Sequence, residues 1–316
     1  MAKELAIRTR GLTKQFDRQV AVNDIDLEIE AGEVYGLIGP NGAGKTTLIR
    51  MLATAEEPTT GEILINGDRL LRDKPNAHIK QRIGYLPDDF PLYDDLTVWD
   101  YLDYFARLYK LRQPHRNRRL HEVLDLVQLA PKRNSLIATL SRGMKQRLSL
   151  ARTIIHEPIL LLLDEPVSGL DPIARMKFRE IIKVLQEAGM TILISSHVLS
   201  DLAELCTSIG IMELGYLVES APLQDLYRRL SRQQILISTL GKLDALQQSL
   251  RNHPQVEGIE VLPGTQTIRV QFSGEPKESA LLLRSLVSAG IPINDFHCVR
   301  EDLETIFLKL GHQQAS

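Results

Sequence analysis

Apolar and polar residues alternate in two halves of the first thirty or so residues, at Leu5 and Ile7 and again over residues 20–29, with Gly11 between the halves. Because successive side chains of a strand point to opposite faces, this alternation predicts an antiparallel meander of strands. The next apolar run, over residues 34–38, meets a glycine-rich turn, and an amphipathic stretch follows at residues 46–52. This succession predicts a strand, a loop and a helix.

Farther along the chain, the apolar spacing changes to every third or fourth residue. Residues 97–129 show this helical spacing, interrupted by Pro114, and predict a helical insert. Apolar runs return at residues 159–163 and 191–195, and a helical pattern over residues 174–187 joins them. A strand, a helix and a second strand in this order are typical of a crossover unit in a parallel sheet.

After Pro222 the pattern predicts a second, smaller domain. Residues 235–299 show strand, helix, strand, strand, helix and strand in succession, which is the split arrangement of a ferredoxin-like domain. A last helix is predicted over residues 301–310, EDLETIFLKL. With 316 residues, the chain is also longer than most single domains. We predict an α/β domain over residues 1–222, with a helical subdomain at about residues 90–140, and a small α+β domain over residues 223–316.

The composition is that of a globular protein, and the net charge does not indicate a particular class of binding partner. Hydrophobic residues make up 43% of the chain and charged residues 25%, and the formal net charge is -2, which does not favour nucleic acid or an anionic membrane. Cys206 and Cys298 lie far apart with no metal-binding pattern around them, so we expect reduced, structural thiols in a cytosolic protein. The charged N-terminus resembles no export signal, and no apolar run approaches the roughly twenty residues that cross a bilayer. Any action at a membrane is therefore expected to need another polypeptide.

The glycine-rich turn after residues 34–38 matches a phosphate-binding loop. Its sequence, GPNGAGKT, carries the pattern G-x-x-x-x-G-K-[ST] at every fixed position, between a predicted strand and a predicted helix. Backbone N–H groups of such a loop wrap the β-phosphate, while Lys45 is expected to reach the β- and γ-phosphates and the Thr46 hydroxyl to bind Mg²⁺. An ordinary glycine-rich turn is the alternative, and the complete motif disfavours it. The remaining loop residues are Gly39, Pro40, Asn41, Gly42, Ala43 and Gly44.

Two acids follow the apolar run at residues 159–163, where a buried strand is expected to end. Ligands of open parallel sheets bind beyond the carboxyl ends of the strands. Asp164 is therefore expected to hold Mg²⁺, and Glu165 to polarise the attacking water as a general base. His197 follows the next strand and is expected within reach of the same γ-phosphate. The alternatives are a plain turn before Pro166 and a structurally satisfied histidine.

Residues 140–147, LSRGMKQR, resemble the signature sequence of the ABC ATPase family. The order of phosphate loop, signature, acidic strand end, SGLD and histidine is also that family's order, and the resemblance covers roughly residues 5–222. It implies the P-loop NTPase fold of ABC cassettes. It also implies a head-to-tail pair of cassettes, in which each MgATP lies between the phosphate loop of one cassette and the signature of the other.

The resemblance also implies roles for residues outside the phosphate loop. Ser141 and Gly143 would contact the γ-phosphate across the pair of cassettes, Asp171 in SGLD would link the two sites, and His197 would hold the γ-phosphate and the attacking water. Phe16 would stack on adenine, although a core position in the meander is the alternative. The resemblance further adds Val22, Thr47 and Arg142 to the nucleotide-binding residues and Asp88 to the metal-binding residues.

Two sites in the chain depart from the family pattern. The family signature is usually LSGGQ, and this chain has Arg142 in place of a glycine and Met144 in place of the glutamine. Asp88 follows Tyr-Leu-Pro, where the family usually has a glutamine that contacts Mg²⁺. An acid can also bind Mg²⁺ through an oxygen, but it is shorter and adds negative charge beside a phosphate. We expect these departures to alter the rate or the coupling of hydrolysis.

The variant signature, the acid at residue 88 and the ending at residues 301–310 resemble exporter ATPases of the drug-resistance, polysaccharide and antibiotic-efflux class. The resemblance implies a separate integral-membrane permease, a second cassette, a place on the cytoplasmic face of the cell membrane and no nucleic-acid partner. Residues 88–99 would receive the permease, although they also suit a helix lead-in with Thr97 as N-cap. The second domain would be regulatory or dimer-stabilising. The alternatives are a soluble ABC ATPase acting on ribosomes or DNA, disfavoured by the single cassette and the lack of a basic stripe, and a regulator that binds ATP without hydrolysing it.

Overall fold

A computed structural model of the chain describes residues 4–71, 74, 76–89, 91–198, 202, 204–230, 233–273 and 276–299. The chain divides into two compact units, Met1–Leu223 and Gln224–Ser316. The helix predicted over residues 301–310 lies outside the described residues, as does Phe90. None of the described helices is long and apolar enough to cross a membrane.

The first unit contains most of the strands and helices. Its strands are β1 (Leu5–Phe16), β2 (Gln19–Ile25), β3 (Glu28–Glu30), β4 (Val34–Ile38), β5 (Thr60–Ile65), β6 (Asp68–Arg69), β7 (Ile83–Leu86), β8 (Leu160–Leu163), β9 (Thr191–Ser196), β10 (Ser208–Glu213) and β11 (Tyr216–Pro222). Its helices are α1 (Lys45–Leu52), α2 (Ala77–Lys80), α3 (Val98–Leu108), α4 (His115–Leu126), α5 (Arg142–Ile154) and α6 (Pro172–Glu187), with 3-10 turns at Ala130–Lys132 and Ile137–Thr139. Helix α7 (Leu223–Leu230) begins at the boundary between the units.

An antiparallel sheet forms from the N-terminal strands, in the order β2-β1-β5-β6 with β3 beside β1. This arrangement confirms the predicted meander. Side chains from alternate positions of these strands, such as Ile7, Ile29 and Ile65, are almost fully buried in the main core of the unit. The alternation in the sequence therefore reflects one buried face and one more exposed face.

A second sheet has the order β11-β10-β4-β9-β8-β7 and is parallel from β10 to β7, with β11 as an antiparallel edge. Strand β8 consists of four consecutive buried leucines, because a parallel strand covered on both faces needs no polar side. Ile159, predicted as its first residue, precedes the strand and is half-exposed. The register pairs Ile38 of β4 with Ser196 of β9, and Leu163 of β8 with Ile194 of β9. The carboxyl ends of β4, β9 and β8 therefore lie side by side.

Helices α3 and α4 form the predicted helical insert. The Thr97 hydroxyl accepts a hydrogen bond from the Asp100 backbone N–H at 3.1 Å, which makes Thr97 the N-cap of α3, as predicted. Helix α3 ends before Pro114, and α4 begins directly after it. Because proline lacks an N–H and has a fixed φ, it starts a helix more readily than it continues one.

The second unit contains β12 (Gln233–Thr239), α8 (Leu243–Arg251), β13 (Val256–Val261), β14 (Thr267–Phe272), α9 (Pro276–Ser288) and β15 (Ile293–Val299). Its strands form one sheet in the order β13-β14-β12-β15, and each neighbouring pair is antiparallel. This topology confirms the predicted split arrangement of a ferredoxin-like domain. A separate core joins the sheet to both helices through side chains such as Ile237, Phe272, Leu246 and Leu282.

Candidate active site

The glycine-rich loop lies at the carboxyl end of β4 and leads directly into α1. Gly44 has a φ of 102°, and a Cβ at this position would collide with the carbonyl oxygen of Ala21. Only glycine tolerates both conditions, so the loop can fold back tightly before the helix begins. Along the loop Pro40, Asn41, Gly42 and Thr46 are exposed, Gly44 and Thr47 are half-buried, and Gly39, Ala43 and Lys45 are buried.

Lys45 reaches back over its own loop. Its Nζ donates hydrogen bonds to the Gly39 carbonyl oxygen at 2.7 Å and the Pro40 carbonyl oxygen at 3.2 Å. The same Nζ lies 3.4 Å from Oε1 of Glu165, and the Lys45 side chain is only 5% exposed. A buried ammonium needs such partners, because the desolvation of a bare charge is very unfavourable.

Asp164 lies directly after β8 and is almost completely buried. Its Oδ1 accepts a hydrogen bond from the Ser195 hydroxyl at 2.7 Å. Burial raises the pKa of the Asp164 carboxyl, while hydrogen bonding by the Ser195 and Thr46 side chains acts in the opposite direction. The Oδ2 atom is buried and accepts no hydrogen bond of ordinary geometry from the residues that the structure describes. It is therefore available to a cation.

Glu165 connects the acids to Lys45 and His197. Its Oε2 lies 2.7 Å from His197 Nδ1, and because an ionised carboxylate only accepts, the Nδ1–H donates. Its backbone N–H donates to the Ser195 hydroxyl at 2.9 Å, and its φ is 47°, in the left-handed region. Such a conformation of a non-glycine residue is strained by on the order of 1 kcal/mol and persists only where surrounding contacts hold it. The structure therefore brings Lys45, Glu165 and His197 together, and the role of His197 at the γ-phosphate stays a prediction.

Asp88 lies shortly after the end of β7 and is exposed. Partial burial and the charges of Glu165 and Asp89 raise the pKa of its carboxyl, and the charges of Arg142 and His197 counteract that rise. Asp88 is therefore within electrostatic reach of the Glu165–His197 pair.

Ser195 contributes to the site but was absent from the sequence prediction. It is fully buried at the end of β9, beside the end of β8, and one hydroxyl bonds to both Asp164 and Glu165. A hydroxyl at the end of an otherwise apolar strand is a weak indication of a functional residue in the sequence. Whether it contacts the site depends on which strand lies beside it in the sheet.

The signature residues lie at a different place in the fold. Ser141 is the N-cap of α5 and accepts from the Met144 backbone N–H at 3.3 Å, while Gly143 is buried in the first turn. Asp171 is the N-cap of α6 and accepts from the Ala174 backbone N–H at 2.9 Å. Within the described part of the chain, no hydrogen bond or ion pair joins Ser141 or Asp171 to Lys45, Asp164 or Glu165.

The two remaining predicted contacts, Phe16 and Val22, differ in exposure. Phe16 is 44% exposed, with Lys14 Nζ 4.7 Å from the ring centroid, so it is not a core residue of the meander and has surface for stacking. Val22 is 0% exposed and belongs to the main core. Its place among the nucleotide-binding residues stays a prediction, and in this structure its side chain packs in the core.

The side chains at this edge of the sheet fit Mg²⁺. Thr46, Asp164 and Asp88 supply the hard oxygen donors that this ion prefers, and the orphaned Oδ2 of Asp164 is one of them. No group of three or more His, Cys, Asp or Glu among the described residues forms a metal cage. Mg²⁺ in proteins usually keeps phosphate oxygens and water among its ligands, and Thr46, Asp164 and Asp88 would hold it together with these.

The chain is similar to several known proteins, and some of these similarities span nearly its whole length. A protein-family model described as ABC transporter matches residues 22–168. The bacitracin transport ATP-binding protein BcrA of Enterococcus faecalis is 35% identical over 313 residues, which are 98% of this chain and 97% of that protein. The linearmycin resistance ATP-binding protein LnrL of Bacillus subtilis is 30% identical over 305 residues, which are 96% of this chain and 97% of that protein. A solved ATP-binding subunit of an ABC transporter is 32% identical with a TM-score of 0.63, covering 71% of this chain and 92% of that chain.

A phosphate loop at the end of one central strand, with two acids at the end of a nearby parallel strand, defines a P-loop nucleotide-binding protein. The relatives and the family model then narrow this class. The chain belongs to the ABC transporter family and is an ATP-binding subunit. Two ATP-binding subunits of this kind act together with separate transmembrane permease subunits. Members of the family in general hydrolyse ATP.

Proposed function

We propose that this chain hydrolyses MgATP and thereby drives an exporter whose permease is a separate chain. The observation that carries the proposal is the connected set of contacts at the carboxyl ends of the parallel strands. Lys45 contacts Glu165, Glu165 contacts His197, and Ser195 joins Glu165 to Asp164. Lys45 as a cation for phosphate, Glu165 as a base for water and Asp164 as a ligand for Mg²⁺ thus lie in one site.

The phosphates of ATP would lie on the backbone N–H groups of residues 39–46, at the N-terminus of α1. Lys45 would exchange its contacts with the Gly39 and Pro40 carbonyls for β- and γ-phosphate oxygens. Thr46, Asp164 and Asp88 would hold Mg²⁺, which neutralises charge on the phosphates when bound. Phe16 would stack on adenine.

Glu165 is the proposed general base. Its carboxylate would take a proton from water as the water oxygen bonds to the γ-phosphorus and the bond to the β-γ bridging oxygen breaks, leaving ADP and phosphate. The hydrogen bond from His197 holds this carboxylate, and the Ser195 contact fixes the backbone at the same residue. A carboxylate whose position is fixed in advance needs less reorganisation during the reaction.

Ser141 and Gly143 would complete the site from a second cassette, because the helix N-terminus of α5 suits an anion. Asp171 would connect the two sites of such a pair. Closure of the pair around ATP would move the permease, at the cytoplasmic face of the membrane. BcrA and LnrL, which are named for bacitracin transport and linearmycin resistance, span this chain nearly end to end and support the efflux class.

The test uses the purified full chain and the variant Glu165→Gln. The wild type is expected to release phosphate from ATP in the presence of Mg²⁺. The variant is expected to bind ATP, to lose turnover by at least about 10³-fold, and to accumulate as an ATP-bound dimer in size-exclusion chromatography. Steady-state hydrolysis retained in the variant would contradict the role of Glu165. Absence of phosphate release by the wild type would favour the alternative that Asp88 and Arg142 raise, a regulator that only binds ATP.

A further inference from the structure

The two sites that depart from the family pattern, Asp88 and Arg142, face the same groove of the first unit. Asp94 and Lys145 also line this groove. Asp88 follows β7, and Arg142 is the first residue of α5, so only the folded chain brings them to one place.

Arg142 is bonded to the SGLD segment of its own chain. Its Nη2 donates a hydrogen bond to the Ser168 carbonyl oxygen at 3.1 Å. The guanidinium also covers Gly169, whose φ is 65°, so that a Cβ at Gly169 would lie 2.5 Å from Nη2. The Arg142 guanidinium therefore packs directly against the backbone of Gly169.

Gly143 makes a second contact between the same two elements. A Cβ at Gly143 would lie 2.7 Å from the Cβ of Ala174, in the first turn of α6. The N-termini of α5 and α6 are thus packed directly against each other. Asp171 caps α6 at this point, so the signature and the SGLD segment form one assembly within a single chain.

The opposite wall of the groove is acidic. Lys145, one turn after Arg142, forms an ion pair of 2.9 Å with Asp94. Asp88 lines the same groove beside Asp89, so that three carboxylates share it with Arg142 and Lys145. An uncompensated carboxylate in this position would oppose the negative charge that phosphates carry into the site.

We propose that Arg142 is a positioning residue for ATP hydrolysis, which ties the signature helix to the SGLD segment of its own chain and offsets the charge of Asp88 across the groove. This inference rests on the proposed ATPase function. It gives the arginine a role within one chain, where the family pattern has a glycine. It also makes the arginine and the acid at residue 88 a matched pair.

The experiment measures kcat and KM for MgATP with the purified full chain, for the wild type, R142Q, D88N and the double variant D88N/R142Q. We expect R142Q to lower kcat about tenfold and to change KM by less than about twofold, since a positioning residue acts on the reaction more than on ATP binding to one chain. The kcat of the double variant should be at least about fivefold higher than that of R142Q, because coupled charges give non-additive effects. The asparagine keeps an oxygen that can still bind Mg²⁺.

Arg118→Gln is the matched control, because it removes the same charge from an exposed position on α4. Arg142 is itself exposed, so the thermal midpoint of R142Q should stay within about 2 °C of the wild type. A kcat for R142Q equal to that of R118Q would overturn the inference, and so would a loss that D88N does not relieve. If the wild type itself released no phosphate, the proposed function would fail. Turnover by the wild type with an unaffected R142Q would refute this inference alone.

Discussion

The predicted nucleotide-binding residues lie in two regions that are built in different ways. At the carboxyl ends of β4, β8 and β9, Lys45, Asp164 and Ser195 are buried and have hydrogen-bond partners within the chain, with Lys45 5% and Asp164 1% exposed. At the N-termini of α5 and α6, Ser141 and Asp171 are exposed and accept hydrogen bonds from the first turns of their own helices. Buried charges must find partners within the chain, whereas exposed caps stay solvated.

This difference indicates how each region takes part in the site. The sheet end holds its chemical groups in place in a single chain. The helix N-termini present an anion-binding surface that a ligand held elsewhere could reach. Changes at the sheet end should therefore affect the isolated chain, and changes to the exposed caps Ser141 and Asp171 should appear mainly when two chains meet.

The largest effect is expected from Lys45→Ala. The variant loses the cation for the β- and γ-phosphates and leaves Glu165 without its ammonium partner. We expect kcat/KM for MgATP to fall by about 10³-fold, the upper range for one charged contact to a transition state. Steady-state hydrolysis is the measurement, and Lys183→Ala on the exposed side of α6 is the control. A fall in kcat/KM of less than about tenfold would contradict the proposed role of Lys45 in the reaction.

Ser195→Ala should weaken the fold of the nucleotide-free chain. It removes the hydrogen bond to Asp164 Oδ1 and the acceptor of the Glu165 N–H, both in a buried place. The expected loss in the free energy of unfolding is about 2 kcal/mol. Urea unfolding without Mg²⁺ measures it, and an unchanged midpoint would mean that the sheet end is not held together as described.

Ser141→Ala tests the other region. ATP binding to a single chain should stay unchanged, while the ATP-driven pairing of chains in the Glu165→Gln background should weaken about tenfold, as for one lost hydrogen bond to a charged group. The loss of the N-cap should lower stability by only about 1 kcal/mol. Light scattering at several protein concentrations measures the pairing. Pairing as strong as in Glu165→Gln alone would place Ser141 outside the interface.

The smallest effect concerns His156, which follows α5 and donates from Nε2 to the Ile83 carbonyl oxygen of β7 at 3.1 Å. Its ring stacks on Tyr109 at 3.9 Å between centroids. Burial, with a smaller contribution from the charge of Arg119, lowers the pKa of His156 below 6.5. Below about pH 6.5 the unfolded chain therefore binds a proton that the folded chain does not, and stability falls by up to about 1.4 kcal/mol per pH unit.

His156→Phe retains an aromatic ring for the stack and should flatten this pH dependence. The free energy of unfolding of the nucleotide-free chain, measured from pH 7.5 down to pH 5.5, should decline less steeply than in the wild type. Equal slopes would show that protonation of His156 does not contribute to acid destabilisation.

Much of the fold was predictable because its signals are local. A backbone or burial requirement within a few residues explains the glycine-rich loop, the four leucines of β8 and the alternation in the N-terminal strands. The order of elements in the second unit was predictable for the same reason. The complete burial of Val22 was not predictable from its neighbours in sequence, because it depends on α1 and the rest of the main core.

The amino-acid sequence alone determined the phosphate loop, the acids after β8 and the family, since those patterns consist of residues close together along the chain. Only the tertiary structure placed Ser195 between Asp164 and Glu165, and brought Arg142 to Gly169 and to the groove of Asp88. These contacts join residues from different strands and helices. Strand order and helix packing decide which distant residues meet. The spacing of residues along one strand or helix does not indicate which other strands or helices will pack against it.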